Sequence, residues 1–228
     1  MFYNDLIVKE LIGQGATLVG FADLSEIDAE QRRGFQYGIS IAIALNPKIV
    51  DNILTGPHME YYIEYKNVNR KLKELSEYIE QFIIAQGFLA YSQSQIKQDE
   101  NYMTPLPHKT VATRAGIGWI GKSATLVNEL YGNAMRLGSV LTNMPFICGV
   151  PINESKCGEC SLCVNNCPGK AVQGANWSIE KGRGELLDAF ACKSEVIRRG
   201  VPFGLKDGTC GVCISICKYT RKYIIKVG

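Results

Sequence analysis

CGECSLCVNNCP, residues 157–168, decides how the last third of this 228-residue chain is read. Cys157, Cys160, Cys163 and Cys167 stand in the spacing C-x2-C-x2-C-x3-C, with Pro168 next. Three thiols within one short loop can wrap a compact metal–sulfur core. The fourth then points away, and the proline turns the chain. Downstream, Cys210, Cys213 and Cys217 repeat the second half of the pattern as C-x2-C-x3-C. The remaining member, Cys192, lies well upstream of them, and Lys218 follows where the first motif has its proline.

This is the spacing of bacterial two-cluster ferredoxins, in which the last cysteine of each motif ligates the other cluster. That crossing rule divides the ligands completely. One [4Fe–4S] cluster takes Cys157, Cys160, Cys163 and Cys217; the second takes Cys210, Cys213, Cys192 and Cys167. Of the nine cysteines, only Cys148 is left over, in PFICGVP, where a small buried hydrophobe is expected. Disulfides require an oxidising compartment, and a zinc ribbon uses two separated C-x2-C pairs. Neither suits this run.

Working outward, charge is as uneven as the cysteines. Residues 1–150 hold 13 Lys+Arg against 15 Asp+Glu, and residues 151–228 hold 12 against 7. Two anionic clusters would offset much of that basic excess; a solvated basic surface is the plainer reading. Hydrophobic content is 46% and charged content 21%, the balance of a globular chain able to bury a core. MFYNDLIVKE lacks the basic-then-apolar pattern of a signal peptide, and no apolar run has the length of a membrane helix. A cytoplasmic protein with no membrane partner is expected.

Upstream, residues 4–13 read as a helix with Asn4 as its N-cap. TLVGFADL (17–24) and YGISIAIAL (37–45) read as strands, the second buried on both faces. Tyr61, Tyr65, Val68, Leu72, Leu75, Ile79 and Phe82 mark one face of a long amphipathic helix with Gly87 at its C-terminal cap. Pro105 and Pro107 precede a helix over 108–115. ATLV (124–127) and RLGSVLT (136–142) read as further strands. The alternation predicts an α/β or α+β layer structure, and MPFICGVPINES marks a boundary. The expected division is a 1–147 cofactor- and substrate-binding core and a 148–228 two-cluster domain.

GIGWIGKS, Gly116 to Ser123, matches G-x4-G-K-S letter for letter. A phosphate loop, however, joins a strand to a helix. Here a helix precedes and a strand follows, so nucleotide hydrolysis is not expected. The glycines still allow close backbone approach to a ligand, and Lys122 suits a phosphate or carboxylate.

AGIGWIGKSATLV, then YGNAMRLGSVLTNMPF, then the eight-cysteine tail together resemble the epoxyqueuosine reductase family. The likeness runs from LVGFADLS to ICKYT. It implies an α+β fold: a nitroreductase-like α/β cobalamin-binding core followed by a two-cluster, bacterial-ferredoxin-like module, a plan shared with corrinoid reductive dehalogenases. It implies clusters that deliver electrons to a cobalamin cobalt, with Gly116, Gly118, Trp119, Gly121 and Lys122 lining the cofactor cavity. The family carries an acid in a D-S-A-P segment before the glycine–tryptophan motif. Here that segment is Tyr102-Met103-Thr104-Pro105. Reductive dehalogenases use a tyrosine as proton donor, so Tyr102 is expected to be catalytic, with Lys109 or Arg114 as a neighbouring cation. The family's tRNA-modifying members extend well past the cluster module, whereas this sequence ends shortly after Cys217, so a small-molecule substrate is expected rather than tRNA. The expected electron donor is a reduced ferredoxin or flavodoxin. The expected activity is thus a corrinoid-dependent iron–sulfur reductase. The alternatives are a ferredoxin-type electron carrier without corrinoid and tRNA epoxyqueuosine reduction.

Overall fold

The structure is a computed structural model that describes residues 3–55, 58–205 and 209–227. In chain order its elements are α1 (Tyr3–Gly13), β1 (Leu18–Asp23), β2 (Tyr37–Ala44), α2 (Pro47–Asp51), α3 (Met59–Ala85), β3 (Ala90–Ser92), α4 (His108–Arg114), β4 (Trp119–Ile120), β5 (Leu126–Val127), β6 (Met135–Thr142), α5 (Leu162–Asn165), α6 (Ala189–Gly200), α7 (Val212–Ser215) and α8 (Lys218–Val227). They form two compact, discontinuous units. The first comprises Met1–Ile43, Val68–Gly118 and Arg136–Ile152; the second comprises Ala44–Asn67, Trp119–Met135 and Asn153–Gly228.

The first unit is built on a four-stranded sheet in the order β1-β2-β6-β3. β1 and β2 are antiparallel, with Leu18 opposite Ala42 and Asp23 opposite Tyr37. β3, a strand the sequence did not announce, runs antiparallel to β6. Antiparallel pairing in a mixed set of helices and strands makes the fold α+β. Gly38 to Ala42 are buried without a break, as a continuous apolar run between turn signals predicts. Helix α4 comes down close to β1 because Gly20 has no side chain. A Cβ there would lie 2.9 Å from Ile117 Cγ1 and 3.1 Å from Ala115 Cβ. The tight approach lets Val111 and Ala115 join Ala22, Leu24, Leu106 and Leu141 in one core cluster. Each larger side chain fully buried there contributes about 1.5–3 kcal/mol.

Two local expectations need correction. Asn4 lies inside α1 rather than at its cap. Its amide instead donates to the Ile147 carbonyl at 2.9 Å and accepts from the Ile147 N–H at 3.1 Å, as a strand neighbour would. On α3, Tyr61, Val68, Leu72, Leu75 and Ile79 are buried, but Tyr65 and Phe82 are only half-buried and Ile83 is fully buried. Alternating steps of 4 and 3 average 3.5 residues, and a straight helix turns every 3.6. The buried face therefore drifts off the stripe by its end. Gly87 does cap α3, at φ 86°. Phe88 N–H donates to Ile83 O and Gly87 N–H to Ile84 O, the paired bonds of a Schellman motif.

In the second unit β4 and β5 form a short hairpin, Trp119 opposite Val127. Ile120 and Ala124 from it pack with Trp177 and Leu186. Helix α8 is anchored by the Tyr223 hydroxyl, which donates to Leu45 O at 3.0 Å, and by an ion pair from Arg221 to Asp51 on α2. Among the described residues no helix is long and apolar enough to cross a membrane.

Candidate metal centre

All eight cysteines of the tail belong to the second unit, and none is in a disulfide. Their two motifs fold alike. Cys163 and Cys213 are the second residues of α5 and α7, helices of four residues each. Cys167 N–H donates to Val164 O, and Cys217 N–H to Ile214 O, both at 3.3 Å. The repeated spacing is thus a repeated backbone turn. Two glycines make the tight loops possible: Gly158 after Cys157 at φ 58°, and Gly211 after Cys210 at φ 75°, conformations side chains rarely adopt. Cys192 arrives separately on α6. The carboxylate of Asp188 caps that helix, accepting from Ala191 N–H at 2.9 Å, while the Asp188 N–H donates to Ala171 O beside Cys167-Pro168.

The structure gathers the thiols about two cavities that share Cys213. One cavity is bordered by Cys157, Cys160, Cys163 and Cys217, with Gly121, Lys122, Asn133, Lys218 and Tyr219 also on its wall. A second is bordered by Cys167, Cys192 and Cys210, with Pro168, Glu195 and Ser123. Cys213 touches both. In each case a cysteine from the end of one motif stands among those of the other. Among the described residues no three His, Cys, Asp or Glu side chains close on a point as the ligands of a single metal ion do. A cubane needs a wider cradle, because each of its four irons takes one thiolate on the outside of the cluster.

With no metal core beside them, burial disfavours several of these groups as thiolates. Burial first, then Cys157, Cys217 and Cys160 nearby, pushes Cys163 up to about 11. Burial likewise raises Cys213, Cys192, Cys210 and Cys217. A bound cationic core reverses that logic and takes the ligands as thiolates. Backbone donors already face the sulfurs: Ala171 N–H lies 3.3 Å from Cys167 Sγ. Donor type, number and grouping all fit iron–sulfur cubanes.

Between the two cavities runs a polar network that the spacing of the cysteines did not reveal. Asn133 is 2% exposed. Its Nδ2 donates to Thr125 Oγ1 at 2.9 Å and to Cys213 O at 3.2 Å, and its Oδ1 accepts from the Thr220 hydroxyl at 2.8 Å. Thr220 Oγ1 also accepts from Asn133 N–H at 3.1 Å. Two stretches far apart in sequence, 125–133 and 213–220, are thereby held together. An asparagine in YGNAMRL carries no local signal of this.

The residues expected to line a cofactor cavity are dispersed. Gly121 and Lys122 border the first cysteine cavity. Trp119 is 1% exposed, edge-to-face with Tyr219 at 5.0 Å, with the Lys156 ammonium 5.5 Å from its ring centroid. Its indole nitrogen has no hydrogen-bond partner among the described residues. Gly116, in the first unit, has φ 71°, and a Cβ there would lie 2.8 Å from Val150 O. Gly118 is buried. GIGWIGKS runs from the end of α4 into the β4–β5 hairpin, so the strand-to-helix setting of a phosphate loop is absent.

Tyr102 is in the first unit, half-buried, at φ 58°. Its N–H donates to Asp99 O, and the Asp99 carboxylate accepts from Asn101 and Met103 N–H. A cavity beside this loop is bordered by Asp99, Met103, Thr104, Pro105 and Lys97. Arg114 is buried and pairs with Glu26. The two histidines are structural. His58 Nδ1 accepts from Tyr61 N–H at the start of α3. His108 Nδ1 lies 2.7 Å from Ser139 Oγ, which also accepts from Gln93 at 2.6 Å. Burial, then the charge of Arg136, pulls His108 down to about 4.

No family model matches the chain. An epoxyqueuosine reductase of Lactococcus garvieae (strain Lg2) is 34% identical over 172 residues, covering 69% of this chain and 42% of that relative. Two solved structures share the fold. An epoxyqueuosine reductase with a tRNA-Tyr epoxyqueuosine-modified tRNA stem loop aligns with a TM-score of 0.61 at 22% identity, over 96% of this chain and 65% of that one. A catabolic reductive dehalogenase in complex with 3-bromo-4-hydroxybenzoic acid aligns with a TM-score of 0.67 at 16% identity, over 93% of this chain and 31% of that one. The chain spans about half or less of the length of the curated relatives it matches. In sequence the chain resembles the epoxyqueuosine reductases, and it has the fold that they and the reductive dehalogenases have in common.

Proposed function

We propose that this chain is an iron–sulfur oxidoreductase that moves single electrons through two [4Fe–4S] clusters to a corrinoid, which reduces a small molecule. One cluster is held by Cys157, Cys160, Cys163 and Cys217, the other by Cys210, Cys213, Cys192 and Cys167. The observation that carries the reading is the gathering of the thiols about two cavities, with Cys217 among the first motif's cysteines and Cys167 among the second's. Residues 148–228 are then the cluster module and 1–147 the core that serves cofactor and substrate. A reduced ferredoxin or flavodoxin is the proposed electron source. Tyr102 is the proposed proton donor; a residue other than glycine in the left-handed region is costly and is kept where its surroundings impose it.

The corrinoid supplies the bond-breaking chemistry, and the protein's part is to hold and orient it. The proposed contacts are Gly116, Gly118, Trp119, Gly121 and Lys122. Anaerobic incubation with cobalamin, gel filtration and a visible spectrum test this step. Retained corrinoid is the expected result. Iron-loaded protein that retains none is an electron carrier of the ferredoxin type. A second reading, reduction of epoxyqueuosine in tRNA, is favoured by the likeness to an epoxyqueuosine reductase solved with a tRNA stem loop. Binding of a tRNA stem loop that weakens steeply with salt would support it.

A further inference from the structure

Lys122 stands out on the wall of the first cysteine cavity. It is only 8% exposed, and among the described residues its ammonium has no hydrogen-bond or ion-pair partner. The wall holds no carboxylate among the described residues; apart from lysines it offers thiols, a hydroxyl, an amide, a phenol and apolar groups. Lys218 also borders it, but that ammonium is 3.5 Å from Cys157 O and 5.1 Å from the Tyr219 ring centroid.

The backbone carrying Lys122 is fixed close to the sulfurs. Gly121 N–H donates to Thr125 O and Ala124 N–H to Gly121 O, both at 2.9 Å, and the Ser123 and Thr125 hydroxyls are 2.8 Å apart. A Cβ on Gly121 would lie 3.5 Å from Cys157 Sγ. The lysine is thus presented by a rigid hairpin turn at the first cavity. The second cavity has no lysine on its wall, and its Glu195 carboxylate is paired with Arg198 and Arg199.

We infer that Lys122 is the counter-cation of the cluster held by Cys157, Cys160, Cys163 and Cys217, and makes it the higher-potential cluster of the pair. The inference rests on the two-cluster reading. Reduction adds one electron to an already anionic cluster, so a nearby fixed positive charge stabilises the reduced form more than the oxidised form. The first electron to enter the protein then rests on this cluster, and electrons run toward it from the other. Lys122 acts as a positioning and tuning residue and touches no substrate in this role.

The test is a redox titration of the iron-loaded protein followed by electron paramagnetic resonance. In Lys122→Met one of two midpoint potentials is expected to fall, by about tenfold in the reduction equilibrium, or about 59 mV for one electron. The potential that falls is the higher one; the other stays, and Lys122→Arg restores the wild-type value. Equal potentials in wild type and Lys122→Met, or a fall in the lower potential, overturn the inference. If Lys122→Met does not load the cluster, loading in Lys122→Arg still upholds a role for the charge, and failure of both variants to load assigns the position to shape alone and overturns it. Wild-type protein with no iron and no paramagnetic signal would instead sink the two-cluster reading itself.

Discussion

Cys217 opens onto the same cavity as Cys157, although most of the cysteine-bearing tail lies between them in sequence. This long-range juxtaposition makes a definite statement about metal content. Anaerobically purified protein is expected to hold about eight iron and about eight sulfide per chain. Cys160→Ser should remove about half of the iron. Cys148→Ser should leave it unchanged, since burial keeps that thiol up at about 11 and it stands outside both cavities. Stoichiometric zinc in a colourless protein would refute the assignment.

The Asn133–Thr220 pair should matter to the module as much as a ligand does. Thr220→Val leaves Asn133 Oδ1 without its donor in a buried place, at a cost of about 1–3 kcal/mol. Asn133→Leu removes three bonds together and should cost more. Thermal unfolding, followed by loss of the cluster's visible absorbance, is the measurement. A midpoint within a degree of wild type for both variants would show that the network is dispensable.

His108 should make the protein less stable in acid. Its folded-state value is about 4, below the 6.5 of an unhindered imidazole. The unfolded chain therefore binds the proton first. Its contribution is complete above pH 6.5, declines as pH falls from 6.5 toward 4, and is gone below that. The ring should show no protonation above pH 5 by NMR. His108→Gln should flatten the fall in stability between pH 6.5 and 4 relative to wild type. A ring that titrates near 6.5 would contradict the buried placement.

Tyr102→Phe tests the proton donor. A positioned acid contributes typically about 10²–10⁴-fold to turnover. With a substrate in hand, the variant should lose activity in that range while iron content stays the same. Unchanged turnover returns Tyr102 to the role of a turn residue held by Asp99.

How much of this was legible in sequence depends on how far apart the partners lie. The cysteine loops were legible because their cysteines are neighbours: spacing within C-x2-C-x3-C dictates a turn, and α5 and α7 repeat it residue for residue. The grouping of Cys217 and Cys167 was legible only because a repeated motif carries its own crossing rule. Gly87 was readable as a cap, and β2 as a doubly buried strand, for the same reason: each is a local pattern.

The tertiary structure alone decided what the isolated polar and aromatic residues do. Trp119 is 1% exposed and meets Tyr219 edge-to-face, a contact its place in GIGWIGKS did not announce. Asn4 resembled a helix cap and is a backbone partner of Ile147. Asn133, Thr220, Ser139 and Gln93 gave no sign at all, because a side-chain hydrogen bond between distant segments leaves no periodicity along the chain. Composition and spacing determine which groups are available and how each short turn is made. Which of them meet, and which stay buried without a partner, is set by packing, where one close approach such as that of α4 at Gly20 moves every side chain beyond it.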